Sequence, residues 1–313
     1  MKTAVCTFGF GRPDHFKRML QGLAVCPEVM NEEVDLHHYL DGGEHSQHAE
    51  LIKVIEDSGV PYKKIIQRPE NFGVGRQLIG ARREIFDEQN YQRMILVEDD
   101  IEAGPTFMTA LLRLSDWAEQ YDDVGTVQVW NVQSGTKQEL EGDLDKVVLT
   151  NRHFVTYCLT KKTWDLISPS LYEYEKKYLR GRAYGKRPHR RIRLFQMRKM
   201  LKAPKRQPQG NCLNPPAEAC SHPFPKIDYR RSPTSQDAIT SIALHQAGLH
   251  RLTTEVSRAF YFGETGVHCT PEVYRQMGFH LQGHHTWEPQ SEPDSFELKY
   301  QDKEGKWLHS LYR

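Results

Sequence analysis

Short apolar runs alternate with stretches whose apolar positions recur every three or four residues, a pattern that predicts repeated strand–helix units in the first half of the chain. Thr3–Phe8 predicts a strand and Pro13–Leu23 a helix with proline in its first turn. Val34–Leu40 predicts a second strand ending at Asp41-Gly42-Gly43, and Ala49–Ser58 a helix stopped by Gly59. Lys63–Gln67 predicts a third strand, followed by a glycine-containing loop and a helix over Gly75–Phe86. Arg93–Val97 predicts a fourth strand running directly into Glu98-Asp99-Asp100. A helix from Pro105 to about Tyr121 and a strand over Val124–Trp130 follow. Such units predict an α/β fold, a mixed but mostly parallel sheet flanked by helices, with ligands outside the carboxyl ends of its strands.

The second half is less regular. Lys161–Tyr178 predicts a helix, and Asn211–Pro233, rich in proline, predicts irregular chain. Ser235 is placed to cap a helix over Gln236–Ala247 that Gly248 closes. Strands are expected around His250–Glu255 and Ala259–Phe262, and a C-terminal hairpin over Phe296–Leu308.

Composition narrows the class. The 313 residues are 38% hydrophobic and 27% charged, as in a globular enzyme. No stretch approaches the roughly 18 apolar residues of a membrane span. The first apolar run is broken by Gly9, Gly11 and Arg12, which suits a strand better than a signal peptide, so a cytoplasmic location is expected. Cys6, Cys158 and Cys269 sit in strand-like contexts as ordinary buried thiols. Cys212, Cys220 and His222 lack the CxxC pair that would make a zinc site the better reading.

The net charge of +1 conceals an asymmetry. Lys176–Arg206 holds 14 of the 42 Lys and Arg residues and no Asp or Glu, leaving 28 basic residues to balance all 41 acidic ones elsewhere. Within this insert Arg190–Leu201 can form a basic amphipathic helix suited to an anionic membrane surface or to nucleic-acid phosphates.

Three consecutive carboxylates at a strand's end repel one another unless a cation neutralises them. Oxygen ligands suit Mg²⁺ or Mn²⁺, which also bind phosphate oxygens. An acidic turn after a strand has the same sequence, but a buried-type strand before it and an amphipathic helix after it put these carboxylates at the sheet's ligand edge.

Val97-Glu98-Asp99-Asp100-Ile101-Glu102-Ala103-Gly104-Pro105-Thr106-Phe107 resembles the metal-binding segment of the eukaryotic α-mannoside β-1,2-N-acetylglucosaminyltransferases. Val129-Trp130-Asn131 resembles that family's next block. Glu255-Val256-Ser257-Arg258, with Phe262-Gly263 and Gly266-Val267, resembles its closing block. The blocks keep the family's order over about Thr3 to His268. The resemblance implies the GT-A (Rossmann-like) fold and a metal-dependent, inverting glycosyltransferase using Mn²⁺ or Mg²⁺ and a nucleotide sugar, a UDP-sugar in that family. It assigns Asp100 to the metal, Asp99 to the ribose, Glu98 to the donor sugar, Arg12 to the donor phosphates and Asp41 to the nucleoside. It also implies a nucleotide-sugar-binding half over 1–131 and an acceptor and catalytic half over 132–313, with the basic insert and the irregular chain after it spanning 176–233.

An inverting transferase needs a carboxylate to deprotonate the acceptor hydroxyl. Asp237, in the first turn of the Ser235-capped helix, is the candidate; a helix N-terminus also favours an acidic residue without catalysis. Its neighbours Thr234-Ser235-Gln236 depart from the family's aromatic and acidic ones, which leaves the acceptor open. His268 stands where the family has serine, and many GT-A enzymes place a metal-binding histidine near this point. The Asn71-Phe72-Gly73-Val74-Gly75-Arg76 turn opens a helix near the nucleotide in similar enzymes, so Gly75 and Arg76 join the donor-site candidates.

The expected acceptor is a hydroxyl of a glycan or lipid-linked glycan. A hydroxymethylated base in DNA is the alternative that uses the basic insert. Nucleotidyl transfer on a related sheet and a non-catalytic nucleic-acid-binding protein are the competing classes.

Overall fold

The computed structural model describes residues 1–132, 135–151, 155–201, 208–221, 227–266 and 269–301. His268 lies outside the described residues, as do His222, Lys202, Lys205 and Arg206 of the chain singled out above, and 302–308 of the expected hairpin.

In the first half, strands β1 (Thr3–Gly9), β2 (Asp35–Leu40), β3 (Lys64–Gln67) and β4 (Arg93–Glu98) alternate with helices α1 (Pro13–Ala24), α2 (Pro27–Met30), α3 (His48–Asp57) and α4 (Gly73–Arg83). There follow β5 (Ile101–Ala103), α5 (Phe107–Ala118), β6 (Val124–Gln128), α6 (Lys137–Leu140), β7 (Lys146–Leu149), β8 (Thr156–Thr160) and α7 (Lys161–Tyr174). The second half adds α8 (His189–Met200), α9 (Gln236–Gln246), β9 (His250–Thr254), β10 (Ala259–Tyr261), α10 (Pro271–Gln276) and β11 (Glu297–Leu298). The segments α2, β5, α6, β7 and α10 are not assigned from the sequence, being short or flanked by polar chain, and β8 is signalled only by the strand-like context of Cys158.

Nine strands form one sheet in the order β11-β7-β9-β6-β8-β4-β1-β2-β3. Pairs β1–β2, β1–β4, β2–β3, β6–β9 and β7–β11 are parallel, whereas β8 runs antiparallel to β4 and β6, and β7 to β9. The fold is thus mixed α/β with a mostly parallel sheet. The sheet does not break at position 131, because β8 inserts between β4 and β6. Glu297 and Leu298 pair in parallel with β7, so this part of the expected hairpin extends the sheet.

The strands are apolar on both faces because both faces are covered. Val5, Ile95 and Val97 pack with Phe16, Leu51 and Phe107 from α1, α3 and α5. Ala4, Cys6, Met94 and Leu96 point the other way, toward Leu78, Trp164, Ile192 and Ile239 from α4, α7, α8 and α9. A separate antiparallel ribbon joins β5 to β10, bringing the chain after Arg258 beside the acidic segment.

Candidate functional site

The parallel strands β2, β1 and β4 end together. Register places Phe8 opposite Glu98 and Gly9 opposite Leu40, so the loops leaving all three converge at one edge. After β1 the chain turns sharply at Gly11, whose φ of +64° is left-handed; a Cβ there would lie 2.5 Å from the carbonyl oxygen of His45. Arg12 follows, Asp41 follows β2, and Glu98, Asp99 and Asp100 follow the core of β4. These five residues line one cavity of about 1010 Å³, with Phe8, Gln77, Val155 and Tyr261 among its other walls. That volume suits a ligand the size of a nucleoside diphosphate sugar.

Arg12 donates from Nε to Asp99 Oδ2 at 3.0 Å and from Nη2 to Asp99 Oδ1. Its Nη2 is also 3.5 Å from Asp100 Oδ2. The residue expected at the phosphates and the one expected at the ribose are therefore paired with each other. Burial, then Asp99, pushes Asp100 up to about 6, and Arg12 opposes the rise. Glu98 is pushed well above the usual carboxylate range by burial, Asp100 and Asp237. Burial thus shifts these acids toward their neutral forms, and positive charge beside them opposes the shift.

Asp41 lines the same cavity and is also tied to the backbone around it. Its Oδ1 accepts from Gly42 N at 3.0 Å and Phe72 N at 2.8 Å, and its Oδ2 from Gly73 N at 2.8 Å. It fastens the N-terminus of α4 to the end of β2, with its carboxylate engaged by backbone amides. Gly42 permits this closeness, since a Cβ there would lie 2.2 Å from Arg68 O. Gly75 and Arg76, expected at the donor, are not among the residues lining the cavity. Gly75 is buried in α4, and Arg76 lies over the Phe72 ring at 4.1 Å and pairs with Glu70. Two positions earlier, Gly73 and Val74 line the wall instead.

Asp237 sits in the first turn of α9, where Ser235 caps the helix by accepting from Ala238 N. It stands toward Glu98 and is not one of the side chains lining the cavity. Burial pushes Asp237 up to about 6, against the pull of Arg82, a carboxylate poised to exchange a proton near neutrality. Arg82 is fully buried in α4 and donates from Nη1 to Gln236 Oε1 at 3.0 Å and from Nη2 to the Tyr157 hydroxyl. Gln236 in turn donates to Asp237 Oδ1. From the other side α8 grips the chain entering α9: Arg193 Nε donates to Ser232 O at 2.9 Å, Gln196 Nε2 to Pro233 O at 2.8 Å, and His189 Nδ1 lies 2.7 Å from Thr234 Oγ1.

Sequence reasoning missed Arg82, Tyr157, Val155 and His15. Arg82 had no signal beyond a charge within a helical pattern, and Tyr157 lies on a strand signalled only by the context of Cys158. Val155 has a φ of +54°, costly for a β-branched residue, and its carbonyl accepts Glu98 N at 2.7 Å. His15 packs on Phe262 at 5.5 Å, and Phe262 N donates to Asp100 O at 3.0 Å, which brings the imidazole into the field of Asp100.

The fit of a divalent cation rests on Asp100 Oδ1. Among the described residues this buried oxygen has no hydrogen-bond partner, and it stands in a cavity wall already rich in carboxylates. A lone hard oxygen of that kind suits Mg²⁺ or Mn²⁺ completed by ligand phosphates and water. Among the described residues no group of three or more His, Cys, Asp and Glu side chains is gathered to hold a metal unaided. Among the same residues, no helix is long and apolar enough to cross a membrane.

No protein-family model matches the sequence, and no curated protein matches it. Solved structures similar to the chain include S. aureus TarS 1–349, at 13% identity over 53% of this chain and 48% of that one, with a TM-score of 0.38. A second is mannosyltransferase PcManGT from Pyrobaculum calidifontis in complex with GDP-Man and Mn²⁺, at 11% identity over 79% and 70% of the two chains, with a TM-score of 0.39. A third is a UDP-glucose pyrophosphorylase complexed with UDP-glucose, at 12% identity over 54% and 80%, with a TM-score of 0.32. The chain spans about half the length of the TarS fragment, 48%. Likenesses of this degree carry no argument about substrate or chemistry.

Proposed function

We propose that the chain is a glycosyltransferase that takes a sugar from a nucleotide-sugar donor, with the donor in the cavity at the ends of β1, β2 and β4. The observation that carries this reading is Asp100 Oδ1, buried beside Glu98, Asp99 and Arg12 and without a hydrogen-bond partner among the described residues. A divalent cation bound there would offset negative charge gathering on the leaving diphosphate. Asp100 would hold that cation, and Asp99 would keep the Arg12 guanidinium turned toward the same phosphates, adding a second positive charge. Phe8, Gly73 and Val74 offer an apolar wall for the nucleoside. Asp237 would take the proton of the acceptor hydroxyl, and an attack from its side, opposite the diphosphate, would invert the anomeric centre. The preferred acceptor is a hydroxyl of a glycan or lipid-linked glycan.

The test is thermal denaturation with a panel of nucleotide sugars, with and without Mn²⁺. One donor should raise the melting temperature only when the metal is present, because a ligand bound to the folded state stabilises it by mass action. Nucleoside triphosphates stabilising better than every nucleotide sugar would favour nucleotidyl transfer instead. No response to any donor with metal would remove the proposal.

A further inference from the structure

The basic insert is not absorbed by the cavity. Between Lys176 and Arg206 it carries 14 Lys and Arg residues and no carboxylate, and it includes helix α8. This helix is held by an inner face of Ile192, Phe195 and Gln196, which pack toward α9 and the chain entering it. Ion pairs to the body lie on that side too: Lys199 reaches Glu173 at 2.8 Å.

The outer face has a different composition. At 100° per residue, Arg190, Leu194, Arg198 and Leu201 fall within roughly a quarter turn, with Arg191 at its border. Arg190, Arg191, Leu194 and Arg198 are exposed, Leu194 at 41%, and Leu201, at the helix C-terminus, is exposed at 83%. The turn at 228–232, closed by Ser232 N donating to Asp228 O at 3.0 Å, hangs from α8 through Arg193. Tyr229, 40% exposed, and exposed Arg230 and Arg231 lie in this turn. The acidic residue beside them, Asp228, is engaged by the backbone amides of Arg230 and Arg231.

We propose that this outer face docks on an anionic lipid surface, with Leu194, Leu201 and Tyr229 entering the headgroup region and the arginines lying on the lipid phosphates. Charge complementarity selects an anionic partner. The interleaved leucines select lipid over nucleic acid. Phosphate-tracking surfaces use charge and aromatic stacking, and a fully exposed leucine adds nothing to them, whereas a bilayer interface rewards apolar side chains flanked by arginines. Arginine stems can themselves lie along the interface while the guanidinium groups stay hydrated. The inference goes beyond the transferase reading and does not depend on it. If both hold, the helix that grips the segment leading to Asp237 also seats the protein on a membrane that can present a lipid-linked acceptor.

The test is flotation of the full chain with vesicles of phosphatidylcholine alone and with phosphatidylglycerol at about a third of the lipid. The anionic vesicles should bind at least tenfold more protein, and raised salt should lower that binding. The double variant Leu194→Ser, Leu201→Ser keeps every charge and alters only exposed side chains, so its melting temperature should be unchanged. Its vesicle binding should fall about tenfold, in line with the loss of several buried methylenes. Equal binding to both vesicle types would overturn the proposal. So would a leucine variant that binds as the native chain does, or duplex DNA bound more tightly than anionic vesicles with no effect of the leucine changes.

Discussion

Arg12 and Asp99, 87 positions apart, meet as a two-pronged ion pair at the mouth of the cavity, with Arg12 also within 3.5 Å of Asp100. Glycine at position 11 turns the chain after β1 so that the guanidinium faces the carboxylates that end β4. The arginine makes adjacent acids tolerable before any ligand arrives. Its side chain is 31% exposed, against 8% for Asp99, so an anion entering the cavity meets the arginine first.

Arg12→Lys should therefore separate two effects. A lysine keeps the positive charge but loses the fork that grips Asp99 from two nitrogens. Stability should change by about 1 kcal/mol or less, while donor affinity measured by calorimetry falls about tenfold or more. Arg12→Ala leaves Asp99 and Asp100 without their shared partner and should cost roughly 1–3 kcal/mol in addition. Unchanged donor affinity in both variants would show that Arg12 serves only the carboxylates.

Asp100→Asn tests the cation. The amide keeps the shape of the side chain and removes a charge that burial already pushes up to about 6. The folded chain should be as stable as the native one or more so at neutral pH. The increment that Mn²⁺ adds to donor-dependent thermal stabilisation should disappear. Retention of that increment would move the metal away from position 100.

Much of this site is legible in the sequence because it stands at the ends of parallel strands. The runs Thr3–Phe8 and Arg93–Val97 predict the strands that form, and the strand–helix alternation predicts that Arg12, Asp41 and Glu98–Asp100 share an edge. Less legible is what each side chain does there. Asp41 reads as a ligand contact and does line the cavity, but the sequence does not show that its carboxylate also accepts from the amides of Gly42, Phe72 and Gly73, bonds set by how closely two loops approach. Helix α4 begins at Gly73 rather than Gly75, which turns Arg76 toward Phe72 and Glu70 and leaves Gly73 at the wall. Strand β8 is flanked by polar chain and pairs antiparallel to its neighbours, so the βα repeat does not announce it and only the strand-like context of Cys158 hints at it, which leaves Tyr157 and Val155 hidden.

Asp237→Asn joins catalysis to stability. Asp237 is pushed up to about 6 by burial, above its unfolded value near 3.9. A raised carboxylate favours the protonated folded state, so its contribution to stability is present at low pH and is lost as pH rises through about 6. The asparagine variant should match the native stability near pH 4 and exceed it at pH 7 by at most about 3 kcal/mol, read from denaturant unfolding. Turnover should fall by roughly 10²–10⁴ while donor binding persists. Substantial turnover with native pH dependence would remove Asp237 as the base.

Arg82→Met asks whether the buried guanidinium tunes that base. Arg82 touches Gln236 and Tyr157 directly, and its charge holds Asp237 down against burial. Methionine fills similar volume without charge, so Asp237 should titrate higher and the acid limb of kcat should move toward alkaline pH by about one unit. Asp100 also titrates near 6, but it acts on donor binding, so its protonation belongs to KM rather than to kcat at saturating donor. The variant should lose activity steeply at pH 6 and approach native turnover at pH 8–9, where Asp237 is ionised in both proteins. A structural role alone would lower kcat by the same factor at every pH, and a parallel drop of that kind would assign Arg82 to packing.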